Sequence, residues 1–195
     1  MNGGQHPLDR YAHGPGARFS AFVWGLAEAT VFFIVPDVLL TAIGCRSIRA
    51  AVKATGFAIL GALLGGLIMY WLAAVSPETS QAGLTHVPAI NPPLIESVRS
   101  QLSERGLVAV LFGPAKGVPY KIYAVEWGVR HGNLPLFLLI TILARGIRFL
   151  FSILLADGIC RLIGPWTKRQ VQTEMIILAL FWIVFYALYF AHFGW

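Results

Sequence analysis

The chain has little charge and almost no cysteine for its length. Only 12% of its 195 residues are charged, whereas 57% are hydrophobic, a balance outside the usual range of soluble globular domains. Its two cysteines, Cys45 and Cys160, lie far apart, in no metal-ligand spacing and each beside an arginine. We therefore expect neither a zinc site nor a structural disulfide. The low charge indicates that lipid is the solvent for much of the surface.

The motifs of common enzyme chemistry are also missing. The sequence contains no H-E-x-x-H zinc motif, no G-x-S-x-G nucleophile elbow, no Walker loop and no Rossmann fingerprint. We therefore expect no enzyme activity, no metal and no cofactor. The net charge of +6 does not indicate nucleic acid as a partner, because the bases are scattered at the ends of apolar runs. In a membrane protein such bases usually anchor the cytoplasmic side.

Three apolar runs are long enough to cross a membrane as helices. They cover residues 57–75, 134–156 and 171–190, and about twenty apolar residues span a hydrocarbon core of about 30 Å. Two further apolar stretches, residues 19–43 and 107–129, are interrupted by charges and prolines. No small-residue cleavage site follows the first of them, so we expect no removable signal peptide. The sequence predicts an all-α integral membrane protein.

The first interrupted stretch carries Glu28 and Asp37, with Pro36 between them. A carboxylate at membrane depth costs about 2.5 to 3.5 kcal/mol, and a continuous helix would place these two acids on opposite faces. Since Pro36 breaks a helix, we predict a re-entrant hairpin whose unwound centre lines a polar cavity. Asp37 also has a second interpretation, as an acid that stabilises the first turn of a helix through its dipole.

The second interrupted stretch has four helix breakers within seven positions, namely Gly113, Pro114, Gly117 and Pro119. We predict a second re-entrant hairpin there, with an unwound centre and with Pro119 as the first residue of the outgoing helix. Lys116 and Lys121 flank the break. A lysine in the first turn of a helix is disfavoured by the helix dipole unless an anion compensates it. This position favours an anion-binding role for the lysines.

Two arginines inside the 134–156 run, Arg145 and Arg148, share one helix face because they are three residues apart. They either snorkel to an interface or face the two hairpins. In the second case a cluster forms in which bases outnumber acids, and its members are Lys116, Lys121, Arg145, Arg148, Glu28 and Asp37, with Glu126 as a further candidate. Such a cluster could be a set of structural ion pairs. Alternatively, its surplus bases attract a phosphate-bearing ligand and its acids exchange protons.

The distribution of bases suggests how the chain is arranged in the membrane. If each hairpin returns to its starting side, most bases outside the apolar segments lie in the cytoplasm together with the N-terminus. The predicted units are a flexible tail (1–17), a first repeat (18–75), an external loop (76–106), a second repeat (107–158) and a C-terminal transmembrane helix (171–192). The two repeats would then have inverted topology, as in many transporters.

Three segments between residues 18 and 160 carry a family resemblance: GLAEATVFFIVPDVLLTAIG, GALLGGLIMYWLA and RGLVAVLFGPAKGVPYKIYAVEWGV. With the arginine-bearing span that follows, they resemble the DedA superfamily, also called the VTT or SNARE-associated group, and most closely its YqaA-like bacterial branch. The resemblance implies two inverted re-entrant hairpins. The family's functional acids would fall on Glu28 and Asp37, and its second-hairpin arginines at or near Lys116 and Lys121. Lysine keeps the charge there but lacks the bidentate fork of arginine.

The resemblance also implies a function and partners. It indicates a flippase or scramblase of the bacterial cytoplasmic membrane that moves an anionic lipid or a polyprenyl-phosphate carrier such as undecaprenyl phosphate, with protons as a candidate coupling ion. Membrane lipids are the expected partners, and a homo-oligomer is compatible with the sequence. The alternatives are a non-transporting membrane scaffold or assembly factor and a transporter of small anions or ions.

Overall fold

The computed structural model describes residues 7–113, 117–163 and 170–193, and within these ranges it contains helices and no strand. The helices are, in chain order, α1 Pro7–His13, α2 Pro15–Thr30, α3 Asp37–Gly44, α4 Ile48–Val75, α5 Pro77–Leu84, α6 Pro92–Arg105, α7 Val108–Phe112, α8 Tyr120–Val129, α9 Leu134–Ile163 and α10 Gln170–Phe193. Part of the predicted tail forms α1, in which Ala12 is buried. The predicted external loop contains α5 and α6.

Three of these helices, α4, α9 and α10, are long and apolar enough to cross a membrane. The prediction of an all-helical chain with three such helices is confirmed, and it indicates a membrane protein. Helix α4 begins well before the predicted start at residue 57, because Ser47 caps it. The Ser47 hydroxyl accepts a hydrogen bond from the Ala50 backbone N–H at 3.3 Å, which satisfies one of the unpaired donors at the helix start.

Helices α2 and α4 pack closely because glycines stand at their contact. A Cβ atom on Gly61 would lie 2.0 Å from the Phe22 carbonyl oxygen, and one on Gly25 would lie 2.1 Å from the Ala58 carbonyl oxygen. No side chain fits at either position, so glycine is what lets the two backbones approach. The small residues of α4 thus form the surface on which α2 rests.

The first interrupted stretch is broken where its proline indicates. Helix α2 ends at Thr30 and α3 begins at Asp37, directly after Pro36. The Trp24 indole N–H donates to the Ile34 carbonyl oxygen at 2.9 Å, so the chain after α2 turns back along that helix. Asp37 therefore occupies the first turn of α3, the position expected for an acid that stabilises the helix dipole.

The second interrupted stretch is also broken. Helix α7 ends at Phe112, and α8 begins at Tyr120, one residue after Pro119 rather than at it. Gly117 adopts a φ of 78°, in the left-handed region that glycine reaches at little steric cost. Pro114 lies outside the described residues, so this predicted break residue is not placed.

The two cysteines form a disulfide, which corrects the expectation that they would not pair. Cys45 directly follows α3, and Cys160 lies near the end of α9. Since α3 packs along α9, the two Cα atoms come within 5.6 Å, inside the range of disulfide geometry. The expectation was wrong because nothing near either cysteine in the sequence indicates that these two helices meet.

Candidate functional site

Two ion pairs join α9 to the acids on either side of the first break, which is the segment between α2 and α3 (residues 31–36). Arg145 Nη2 lies 2.6 Å from Glu28 Oε2, and Arg148 Nη2 lies 2.5 Å from Asp37 Oδ2. Ser152, one turn further along α9, donates to Asp37 Oδ1 at 2.8 Å. The three-residue spacing places both arginines on one face of α9. That face meets the first break rather than an interface.

The two ion pairs differ in how exposed the arginine is and in how many hydrogen-bond acceptors it has. Arg148 is one quarter exposed, whereas Arg145 and Glu28 are almost fully buried. Arg145 Nε and Nη1 have no hydrogen-bond acceptor among the described residues. The Arg145 guanidinium instead lies 4.4 Å from the centroid of the Tyr120 ring, a cation–π contact that offsets part of its desolvation. Arg145 therefore keeps N–H donors that no described acceptor uses.

Tyr120 is positioned by two neighbouring residues. Its hydroxyl oxygen lies 3.1 Å from Thr141 Oγ1. A Cβ atom on Gly66 of α4 would lie 2.2 Å from that hydroxyl oxygen, so only glycine leaves room for the phenol ring. A side chain at position 66 would displace Tyr120 and, with it, the aromatic face on which Arg145 rests.

Lys121 connects the first break to the second break, which is the segment between α7 and α8. It is 1% exposed, and its ammonium donates to the Phe32 carbonyl oxygen at 2.7 Å. Phe32 follows the C-terminus of α2, where unpaired carbonyls carry partial negative charge. This contact explains a lysine in the first turn of α8, because the end of α2 supplies the compensating charge. Lys116, the other predicted lysine, lies outside the described residues.

A cavity of about 1150 Å³ lies between the two breaks, α9 and α10. Its polar lining includes Glu28, Asp37, Lys121, Arg148 and Ser152. Most of the remaining wall is apolar and comes from α9 and α10, with residues such as Phe151, Leu155, Ile159, Phe181 and Phe185. Arg145 contacts Glu28 without itself lining the cavity. The cavity is thus charged beside the breaks, while most of its wall along the two long helices is apolar.

The charges at the breaks do not balance. Three described bases, Lys121, Arg145 and Arg148, meet two acids, Glu28 and Asp37. With every group ionised, one positive charge is in excess. Glu174 also lines the cavity, on α10, and is paired with Arg46, so the excess is confined to the breaks. Because the apolar surroundings screen charge poorly, an anion that enters the cavity beside the breaks would be attracted there.

Helix α10 contacts both breaks through two tyrosines. The Val35 backbone N–H donates to the Tyr186 hydroxyl oxygen at 2.7 Å. The Tyr189 hydroxyl donates to the Gly117 carbonyl oxygen at 3.1 Å. Aromatic residues of an apolar membrane segment typically form interfacial belts or lipid-facing surface, whereas these two face the breaks. Their three-residue spacing was the available signal, since it places both on one helix face.

Two further polar contacts hold α10 and were not anticipated from the sequence. The Trp182 indole N–H donates to Thr41 Oγ1 at 3.2 Å. Glu174, which is 2% exposed, lies with Oε2 3.1 Å from Arg46 Nη1, and Arg46 Nε also binds Asp9 at 2.7 Å. The signal available in the sequence was an acid near the start of an otherwise apolar helix, where an unpaired charge is costly.

Glu126 belongs to a different cluster. Its carboxylate accepts hydrogen bonds from Gln81 Nε2 at 2.8 Å and from Arg99 Nε at 3.1 Å. The hydrogen bond to Glu126 raises the pKa of the Arg99 guanidinium above its ordinary value, so Arg99 stays charged. Glu126 is not among the residues that line the cavity. The structure therefore separates it from Glu28 and Asp37.

In comparisons with protein-family models, with characterised proteins and with solved structures, nothing matches this chain. The chemistry of the site therefore has to be argued from its own contacts. Those contacts supply surplus positive charge at the breaks, two acids that are each paired with an arginine, and a large apolar wall beside them.

Proposed function

We propose that this chain is a membrane transporter, resembling the lipid flippases and scramblases of the DedA superfamily, that moves an anionic phosphate-bearing lipid across the bacterial cytoplasmic membrane. The observation that carries the proposal is the cavity in which Asp37, Lys121 and Arg148 adjoin a long apolar wall. A lipid phosphate requires positive charge at one place, and its chains require apolar surface beside it. A volume of about 1150 Å³ exceeds most small-molecule pockets, which hold about 300 to 1,000 Å³.

We further propose that α2–α3 and α7–α8 are re-entrant hairpins that enter from opposite sides. Helix α8 has 10 residues and α3 has 8, so they are about 15 Å and about 12 Å long, and neither crosses a core of about 30 Å. The unwound backbone lines the cavity and binds α10, the setting in which such backbone is tolerated. The hydrogen bond from Lys121 to Phe32 links the breaks, as a midplane site between inverted repeats requires.

In the proposed resting state, Asp37 forms an ion pair with Arg148, and the C-terminal end of α2 accepts a hydrogen bond from Lys121. An entering phosphate competes for both bases, which line the cavity. Proton uptake by Asp37 would weaken its pair with Arg148 and release that guanidinium to the ligand. Proton uptake and lipid binding would then be coupled.

The decisive experiment measures movement of a polyprenyl phosphate between the leaflets of proteoliposomes, with phosphatidylcholine movement measured alongside. We expect the wild-type protein to accelerate the first and not the second. Lys121→Ala and Glu28→Gln should reduce the rate to that of empty liposomes, because one removes a cavity base and the other a cavity acid.

The matched control is Glu126→Gln, which neutralises an equally buried acid outside the cavity and should keep at least half of the rate. Full transport by both Lys121→Ala and Glu28→Gln would remove their proposed roles. No transport by the wild-type protein would leave the ion pairs as structural contacts, as in a scaffold.

A further inference from the structure

A second pocket, of about 240 Å³, lies where α1, α2 and the start of α4 meet. Four of its seven lining residues are bases, His13, Arg18, Arg49 and Lys53, and none is an acid. The bases come from three different helices, so the fold, and no single stretch of sequence, gathers them. This basic pocket is separate from the cavity at the two breaks, and it has no part in the transport proposal.

The positive charge of the basic pocket is not compensated within the described part of the chain. Arg18, Arg49 and Lys53 form no ion pair there, and Asp9 on neighbouring α1 is already bound to Arg46 at 2.7 Å. Arg49 and Lys53 are four residues apart on α4, a spacing at which like charges destabilise a helix. The first turn of α4 contains no acid. An anion in the pocket would relieve this repulsion.

Exposed apolar side chains adjoin the basic pocket. Val52, which is three residues after Arg49 and therefore on the same face of α4, is 48% exposed. Phe57, one turn after Lys53, is also exposed and begins the apolar part of α4. A free phosphate would make no use of these side chains, whereas the acyl chains of a lipid would cover them.

We propose that the basic pocket binds the phosphate of an anionic membrane lipid headgroup, with the lipid chains lying against Val52 and Phe57. Its volume corresponds to that of about eight waters, enough for a phosphate group and part of a headgroup. Under the topology proposed above, the pocket faces the cytoplasmic leaflet, whose anionic lipids attract basic segments. The site would be a fixed lipid-binding position that anchors the α1–α2 corner, and it does not require that the protein transports anything.

The test is native mass spectrometry of the purified protein with phosphatidylglycerol, with phosphatidylcholine, and with glycerol 3-phosphate as the soluble phosphate. We compare the triple variant Arg18→Gln, Arg49→Gln, Lys53→Gln with a control triple, Arg10→Gln, Arg105→Gln, Arg161→Gln. The two triples change net charge equally, and the control bases do not line the pocket. Equal melting temperatures would show that both remain folded.

We expect phosphatidylglycerol to bind better than phosphatidylcholine, and the pocket triple to weaken phosphatidylglycerol binding by roughly tenfold or more. The control triple should change it by less than about twofold. An equal loss in both triples would overturn the proposal, since attraction would then come from net charge alone. Equal binding of glycerol 3-phosphate and phosphatidylglycerol would overturn the lipid assignment, and no preference for the anionic lipid would overturn the site.

Discussion

Asp37 and Glu126 are both buried, and each is paired with an arginine, but their surroundings differ. Asp37 accepts from Arg148 and Ser152 at the edge of the large cavity. Glu126 accepts from Gln81 and Arg99, which lie on α5 and α6, and is not among the residues that line that cavity. The two acids are therefore alike in burial and in pairing, but of the two only Asp37 lines the large cavity. A buried ion pair alone is weak evidence of function, and the adjoining space is what distinguishes Asp37.

The most severe test of this difference exchanges each arginine for glutamine. Arg148→Gln should abolish transport of polyprenyl phosphate in proteoliposomes, because it removes a cavity base and leaves the Asp37 carboxylate without its ion-pair partner. Arg99→Gln should keep at least half of the rate, although it also leaves a buried acid with one partner fewer. Both variants should lose stability, by up to about 3 to 5 kcal/mol for the more buried pair. Similar transport by the two variants would remove the distinction between the clusters.

A smaller effect is expected from the glycine that makes room for Tyr120. Gly66→Ala should destabilise the protein by about 1 to 3 kcal/mol, because the new methyl group meets the Tyr120 hydroxyl and displaces the ring beneath Arg145. Gly56→Ala, on the same helix, has nothing within 4 Å of its added Cβ and should be neutral or stabilising. Thermal unfolding in detergent measures both. Equal melting temperatures would show that the cavity side of the molecule is not tightly packed around Arg145.

The tyrosine contacts of α10 should each have a more modest effect. Tyr186→Phe removes the acceptor for the Val35 N–H and should cost about 1 kcal/mol, as for a typical hydrogen bond. Hydrogen exchange at Val35 should accelerate accordingly, by roughly fivefold. Tyr11→Phe, a change at a half-exposed tyrosine of α1, serves as the control. Unchanged exchange at Val35 would mean that α10 does not hold the first break.

The last test determines on which side of the membrane the end of α9 lies, and it does not depend on transport activity. The disulfide between Cys45 and Cys160 lies at the end of α9 that the distribution of bases predicts to be cytoplasmic, where a disulfide is expected to be reduced to two thiols. We therefore expect both cysteines to react with a membrane-permeant alkylating reagent in intact cells, and the disulfide to form in the purified, oxidised protein. A disulfide already present in intact cells would place this end in an oxidising compartment and reverse the proposed orientation.

Local signals predicted the helix breaks and the long helices, but not the partners. Pro36 and Gly117 marked unwound backbone because their chemistry restricts helices directly. Asn91 caps α6 by accepting from the Leu94 N–H, and with Pro92 after it this was an available sign that the predicted external loop contains a helix. The sequence did not indicate which acid would meet which base, because Arg148 and Asp37 are 111 residues apart. The same limit applied to the two cysteines.

The hydroxyl groups of both α10 tyrosines bind backbone atoms of the breaks, and the Tyr186 ring also packs against the Phe33 side chain. Substitutions in these segments therefore leave the hydrogen bonds available, except for a proline at position 35, which would remove the N–H that Tyr186 accepts. Apart from positions such as Phe33 and Gly117, residues of these segments can therefore change type, and so alter what the cavity admits, while the hydrogen bonds to the last helix persist.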